Sequence, residues 1–316
     1  MSVSARKVIV VGLGAAGLEH VKALEEFPQV TLIAGIDTDP SRTLTFRRRR
    51  VTVYPVISDA FNNELDPNIV IVATPTPAHA QVCDEVAKYF PEANILIEKP
   101  AADSLGDAQW IIEEIGEKQA ITVAYHMAFS PEVDWGLEQV RMRADHLGRP
   151  VAIESLQADP YQPELASAEA RLGTSWIDSG INALSVIERF VNVVKRTSLR
   201  PIGQASKSKF EGIFVCEAHH EELTAIVLTS WHSTASARTT RVRYSSGAEL
   251  VMDHAAVTGY LLEDGMLSAD FGSDGIVPRR EAHYKAMYKS WLVDGDETFS
   301  NATSLRLHRL LLEKPD

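Results

Sequence analysis

The segment Lys7–Gly17, KVIVVGLGAAG, constrains the fold more than any other stretch of the chain. Four consecutive apolar residues, Val8–Val11, read as a strand buried on both faces. Gly12 then permits a tight turn, Leu13 follows, and Gly14 lets the backbone approach a pyrophosphate closely. Ala15 and Ala16 open a helix, and Gly17 allows that helix to pack against the strand. The helix N-terminus offers free N–H groups and a positive dipole end to phosphate. Such a glycine pattern is a weak signal alone, but its surroundings are complete here. A second apolar strand, TLIAGI, ends at Asp37, 20 residues past Gly17. A carboxylate there can accept hydrogen bonds from both ribose hydroxyls and would repel a 2′-phosphate. These residues predict a dinucleotide site. NAD is expected, with NADP the alternative because Arg42 and the Arg47–Arg50 run could reach a phosphate.

Strand and helix patterns keep alternating up to Ala124. Apolar runs recur at Val30–Ile36, Ile69–Ala73, Ile95–Ile97 and Ile121–Ala124. Helical patterns fall at Gly14–Glu26, His79–Phe90 and Leu105–Ile115. Short continuous apolar strands between helices imply an α/β, doubly wound parallel sheet covered on both faces. After Tyr125 the rhythm changes. Helices are expected at Pro131–His146 and Asp178–Val191, and strands at Val151–Ala158, Phe210–Ala218, Leu223–Thr229, Thr239–Tyr244 and Leu250–Met252. A short helix is expected at Ser304–Leu312. The pattern predicts a doubly wound parallel-sheet domain over 1–124 and an α+β domain with a mostly antiparallel sheet over 125–316.

Charge narrows the partners. Lys and Arg total 31 against 43 Asp and Glu, a formal net charge of −12. A chain this acidic is poorly suited to a nucleic-acid backbone or an anionic membrane surface. One cationic group in a pocket would be hidden by that sum. The Arg47–Arg50 block is expected to be solvated surface. Cys83 and Cys216 lie far apart in apolar stretches, which suits a reduced, cytoplasmic compartment better than a disulfide framework. No apolar run reaches the roughly 18–20 residues of a membrane span.

Further candidates sit at strand ends. Thr74 and Pro75 follow the run Ile69–Ala73, where ligands bind in such sheets, and His79 begins the next helix. His79 is read either as packing for this loop or as a contact to nicotinamide or substrate. Glu98-Lys99-Pro100 follows ILI, and the Lys99–Pro100 bond is a candidate cis peptide. A lysine beside a nicotinamide cation is driven toward its neutral form by like-charge repulsion, so Lys99 is a candidate proton acceptor. His126 is read as a substrate ligand or a structural hydrogen-bonding group, and Trp176 as a sugar-stacking ring or core packing. Tyr161 and Gln162 lie in a polar loop that could cover the site, and Trp231-His232 is expected to be sheet packing or interface. His219-His220-Glu221-Glu222 lacks helical i, i+4 spacing, and no metal site is expected.

With these residues the chain resembles the Gfo/Idh/MocA family of sugar oxidoreductases. The likeness rests on Gly12–Gly17, Asp37, Thr74-Pro75 with His79, and Glu98-Lys99-Pro100. It continues at Asp178-Ser179-Gly180-Ile181-Asn182-Ala183-Leu184-Ser185, where the family carries an Asp-x-Gly-x-His-x-x-Asp helix. The resemblance implies a Rossmann domain followed by a domain with an open antiparallel sheet, and it implies that Lys99 and Asp178 belong to the active site. It also implies a homodimer or homotetramer joined through the second sheet. Two positions depart from the pattern: the family's histidine is Asn182 and its second aspartate is Ser185. Helical geometry independently places Asp178, Asn182 and Ser185 on one face, as i, i+4 and i+7. The row reads either as a cap with a satisfied buried amide or as groups aimed at a polyol. Asparagine does not titrate near neutral pH, so Lys99 must carry the proton. The Lys, Asp and Asn set is similar to the family's aldose 1-dehydrogenases. That likeness implies oxidation of an aldose at C1 to its lactone. The alternatives are redox chemistry at C2, C3 or C4 of a free or nucleotide-linked sugar, and a non-catalytic sugar or NAD sensor.

Overall fold

A computed structural model describes residues 5–47, 51–203, 207–273 and 275–313. The side chains of the Arg47–Arg50 run, for which solvated surface was expected, lie outside the described residues. The chain divides into two compact units. One is Met1–Ala124 with Trp291–His308, and the other is Tyr125–Ser290 with Arg309–Asp316. Sequence patterning places the whole tail in the second domain, whereas Trp291–His308 packs with the first. No helix among the described residues is long and apolar enough to cross a membrane.

The first unit is built on a six-stranded parallel sheet. Its strands are β1 (Arg6–Val11), β2 (Val30–Ile36), β3 (Thr52–Tyr54), β4 (Ile69–Val72), β5 (Asn94–Glu98) and β6 (Ile121–Ala124), in the order β3-β2-β1-β4-β5-β6. Val8–Val11 and all of β4 are buried, as continuous apolar strands between two helical layers must be. The strand order reverses at β1, which pairs with both β2 and β4. This is the point where such sheets open a crevice at the carboxyl ends of their strands. The three-residue β3 has no fully buried residue, so no apolar run announces it.

The second unit carries an eight-stranded sheet. Its strands are β7 (Pro150–Pro160), β8 (Asn192–Pro201), β9 (Lys209–Ala218), β10 (Glu221–Ser230), β11 (His232–Tyr244), β12 (Glu249–Asp253), β13 (Thr258–Glu263) and β14 (Met266–Phe271). The order is β14-β13-β12-β11-β7-β10-β9-β8. Only β7 with β10 is parallel. His219 and His220 form the two-residue turn between β9 and β10, at φ of 52° and 65°, the left-handed twist that tight hairpins require. Asp264-Gly265 does the same between β13 and β14, at 53° and 73°. The longer helices of this unit are Pro131–Met142, Ile181–Phe190 and Arg279–Lys289. Ser155, Gln157 and Asp159 of β7 alternate onto one buried face with Arg238 and Thr240 of β11. That face is polar where a sheet packed on helices is ordinarily apolar.

Candidate active site

In the first unit the glycine loop is shaped by close backbone approach. Gly12 sits at φ +90°, and a Cβ there would lie 2.6 Å from the Ala73 carbonyl carbon and 2.7 Å from Thr74 N. The loops after β1 and β4 are therefore side by side. A Cβ on Gly17 would collide with the Gly12 carbonyl oxygen. Around Gly14 the same atom meets nothing within 4 Å. The helix Ala15–Leu24 starts at Gly14 with no side-chain cap, leaving its first N–H groups for a ligand. Asp37 is held by two backbone donors: Leu13 N gives to Oδ2 at 2.7 Å and Asp39 N to Oδ1 at 2.8 Å. Each oxygen keeps a lone pair for a ribose hydroxyl. Thr74 Oγ1 is buried without a hydrogen-bond partner among the described residues. An open cradle at Gly14, an anchored Asp37 and an orphaned hydroxyl fit a dinucleotide.

The segment after β5 is clamped from several sides. Glu98 is buried; its Oε1 lies 2.9 Å from His20 Nε2, and its Oε2 accepts from Lys99 N at 3.1 Å. The Lys99–Pro100 peptide is cis. Ala101 N donates to His308 Nε2 at 2.9 Å, and the other nitrogen of that ring donates to Ser304 O at 2.7 Å. His79 is 1% exposed, with Nε2 2.9 Å from Thr74 O and Nδ1 3.2 Å from Ala101 O. Burial keeps its pKa below the ordinary imidazole value despite those carbonyls. Of the two readings of His79, these bonds describe loop packing: the ring ties the Thr74 loop to the segment after Lys99. His20 and His308 escaped the sequence reading. The available signal was a histidine on the apolar face of its helix, with Gly17, Val21 and Leu24 in one case and Leu305 and Leu311 in the other.

In the second unit a wide, π-type turn over Trp176–Gly180 precedes helix Ile181–Phe190. Such turns are frequent at functional sites. Asp178 is half-buried with Ser179 Oγ at 3.4 Å. Asn182 is 3% exposed, and its Oδ1 has no hydrogen-bond partner among the described residues. That atom excludes the satisfied-amide reading within the protein alone. Ser185 does not extend the polar row, because its hydroxyl donates to the Asn182 backbone carbonyl at 2.9 Å. Trp176 packs the core: its ring stacks on Phe214 at 5.9 Å and 10°, and Nε1 donates to Leu311 O at 2.9 Å. His126 is buried and stacks on Tyr284 at 4.7 Å and His283 at 5.9 Å. Burial, with the negative charges of Asp178 and Asp159, pushes the Tyr161 phenol above its ordinary pKa, so it stays a donor.

Two charged clusters behind these residues have no local sequence signature. Glu132 is completely buried, 2.6 Å from Ser130 Oγ, 2.8 Å from His254 Nδ1 and 3.5 Å from His283 Nε2. Burial alone would raise its pKa, but the bonds and charges of the two histidines outweigh it and hold the carboxyl well below the usual range. Arg238 Nη2 spans both oxygens of Asp159 at 2.7 and 2.8 Å.

Residues 6–126 match the model of the oxidoreductase family with an NAD-binding Rossmann fold, Gfo/Idh/MocA. No curated protein sequence gives a match. Solved structures share the fold over nearly the whole chain. GenD2 from gentamicin A biosynthesis, in complex with NAD, is 19% identical at a TM-score of 0.77, covering 98% of this chain and 93% of that one. UDP-N-acetylglucosamine 3-dehydrogenase from Acidithiobacillus ferrooxidans is 14% identical at 0.75, covering 98% of each. Myo-inositol 2-dehydrogenase from Lactobacillus plantarum is 15% identical at 0.76, covering 97% and 95%. With the glycine cradle and the anchored Asp37 already in place, the match makes residues 6–126 an NAD-binding Rossmann domain similar to that of the Gfo/Idh/MocA oxidoreductases.

Proposed function

We propose that the protein oxidises an aldose at C1, with NAD as hydride acceptor and Lys99 as proton acceptor. NAD, when bound, would supply the hydride acceptor; Lys99 would take the anomeric O–H proton, and the C=O bond formed as the C1 hydride left would give the lactone. The reading is carried by the fixed position of Lys99. Its backbone is held to Glu98 at the carboxyl end of β5, and the next residue but one is gripped at both N and O. Such anchoring supplies alignment, which is the protein's share of a hydride transfer. Asp178, Asn182 and His126 are the substrate ligands in this reading, and Trp176 is packing. Asn182 Oδ1, buried and orphaned, is an acceptor for a sugar hydroxyl. NADH should form with one member of a panel of aldoses such as arabinose, galactose and xylose. Lys99→Ala should abolish this while leaving NAD binding intact. Full activity in that variant would remove the base. A second reading, oxidation at a ring carbon of a free or nucleotide-linked sugar, is favoured by what two of the similar structures are called. Product analysis separates the two, since only C1 chemistry yields a lactone or aldonic acid.

A further inference from the structure

His20 is out of place on its helix. The helix Ala15–Leu24 buries Gly17, Val21, Ala23 and Leu24, and His20 stands fully buried on the same side, three residues after Gly17 and four before Leu24. An imidazole set in apolar packing is costly unless it is hydrogen-bonded. Its Nε2 meets Glu98 Oε1 at 2.9 Å, 78 residues along the chain. Glu98 is the last residue of β5, is itself buried, and accepts from Lys99 N through its other oxygen at 3.1 Å. An ionised carboxylate only accepts, so the ring presents its proton to Glu98 at Nε2. In the sheet β4 lies between β1 and β5. No ladder therefore ties the helix that follows β1 to the end of β5, and the His20–Glu98 bond does. The same helix starts at Gly14, where the N–H groups for a pyrophosphate are exposed, six residues before His20. The cofactor cradle and His20 are thus held ~9 Å apart along one rigid axis.

We propose that His20 is a positioning residue for Lys99: it holds the Glu98 carboxylate in the orientation that fixes the Lys99 backbone, and so registers Lys99 against the cofactor cradle on its own helix. This deepens the reading of Lys99 as proton acceptor and rests on it. A lysine amine rides on a flexible four-carbon stem, so it is aimed no better than its backbone is held. A glutamate side chain is also rotamer-rich, and a charge-assisted bond from its second oxygen to a packed helix removes freedom that the bond to Lys99 N shares. Alignment is where this matters, since a misplacement of about 1 Å can cost a reaction ~100-fold. His20 acts through Glu98, so its loss should appear in turnover while cofactor affinity stays.

The test compares His20→Gln, His20→Asn and His20→Leu in the full chain. Glutamine sets an amide N–H where the imidazole Nε2 stands and can still donate to Glu98. Asparagine is as polar but too short to reach it, and leucine fills the space without a donor. Turnover is measured with NAD and whichever of arabinose, galactose and xylose reduces it. His20→Asn and His20→Leu should lower kcat roughly 10- to 100-fold, with the sugar KM and NAD affinity at their wild-type values. His20→Gln should recover most of that loss. A second readout needs no activity: acetylation of Lys99 by an N-hydroxysuccinimide ester, followed by peptide mass spectrometry. A released lysine should label faster in His20→Asn and His20→Leu and at the wild-type rate in His20→Gln. Should leucine unfold the protein, the two amides carry the comparison, since both keep a polar group in the site. The positioning role is overturned if His20→Asn keeps wild-type kcat, or if glutamine does no better than asparagine. It is also overturned if NAD affinity and melting temperature fall in step with kcat, as they would for a residue that only packs its helix. If no sugar yields NADH with the wild type, the sugar-oxidation reading fails, and the labelling rates still decide whether His20 fixes Lys99.

Discussion

His308 ties the stability of the first unit to pH. Its Nε2 accepts from Ala101 N and its Nδ1–H donates to Ser304 O, so the folded protein uses the neutral ring. Burial, helped by the nearby His79, holds its pKa at about 4, against 6.5 for an ordinary histidine. The unfolded chain therefore binds this proton more readily than the folded one. The stabilisation is complete above pH 6.5, is lost as the pH falls, and levels off below about 4. Each pKa unit is worth ~1.4 kcal/mol, so moving from about pH 7.5 to pH 5 should cost about 2 kcal/mol through this group alone. The assay is urea unfolding at both pH values for the wild type and for His308→Gln. The variant starts less stable at neutral pH, because Ala101 N loses a matched acceptor. It should then lose about 2 kcal/mol less on acidification. His79 and His283 are shifted in the same direction, so some acid sensitivity remains in both proteins, and the difference isolates His308. Equal losses in the two proteins would refute the buried, neutral clamp.

Two glycines should separate folding from cofactor binding. Gly14→Ala adds a Cβ to open space, so stability should stay within about 0.5 kcal/mol while NAD affinity drops, read by thermal unfolding and NAD titration. Gly17→Ala drives a Cβ into the Gly12 carbonyl and should lower stability itself, by roughly 1–3 kcal/mol in urea. Asp37→Ser should weaken NAD roughly tenfold and narrow the preference over NADP, measured by binding of both cofactors; an unchanged ratio would remove Asp37 as ribose acceptor. Glu132→Gln, which strips the anion from two buried histidines, should cost about 3 kcal/mol at neutral pH, and a variant as stable as the wild type would contradict a charged Glu132.

The first unit was legible in the residues because its information is local. A parallel strand covered on both sides must be rich in continuous apolar residues; β4 is apolar throughout, and β1, β2, β5 and β6 are mostly so. The glycine loop and Asp37 lie within one strand–helix–strand unit, so spacing alone locates them. Where burial is partial the pattern fades. β3 has no buried residue, β8 lies at the sheet edge, and β13 and β14 are largely unburied, so that only the Asp264-Gly265 turn marks their hairpin.

By itself, then, the sequence determined the doubly wound sheet, the change of architecture near Tyr125, and the residues of the dinucleotide loop. It also singled out Lys99, Asp178 and Asn182, because each stands at a strand end or on a helix face where its polarity is out of place. Only the tertiary structure decided what each polar group is paired with. It made His79 and His308 a clamp, turned Ser185 inward to its own helix, and brought Trp176 against Phe214. It also paired Arg238 of β11 with Asp159 of β7 and set Glu132 against His254 and His283. The physical reason is range. Strand and helix periodicity is set by neighbours a few residues apart, whereas the partner of a buried charge is set by which elements the fold packs together, across separations such as the 79 residues between Asp159 and Arg238.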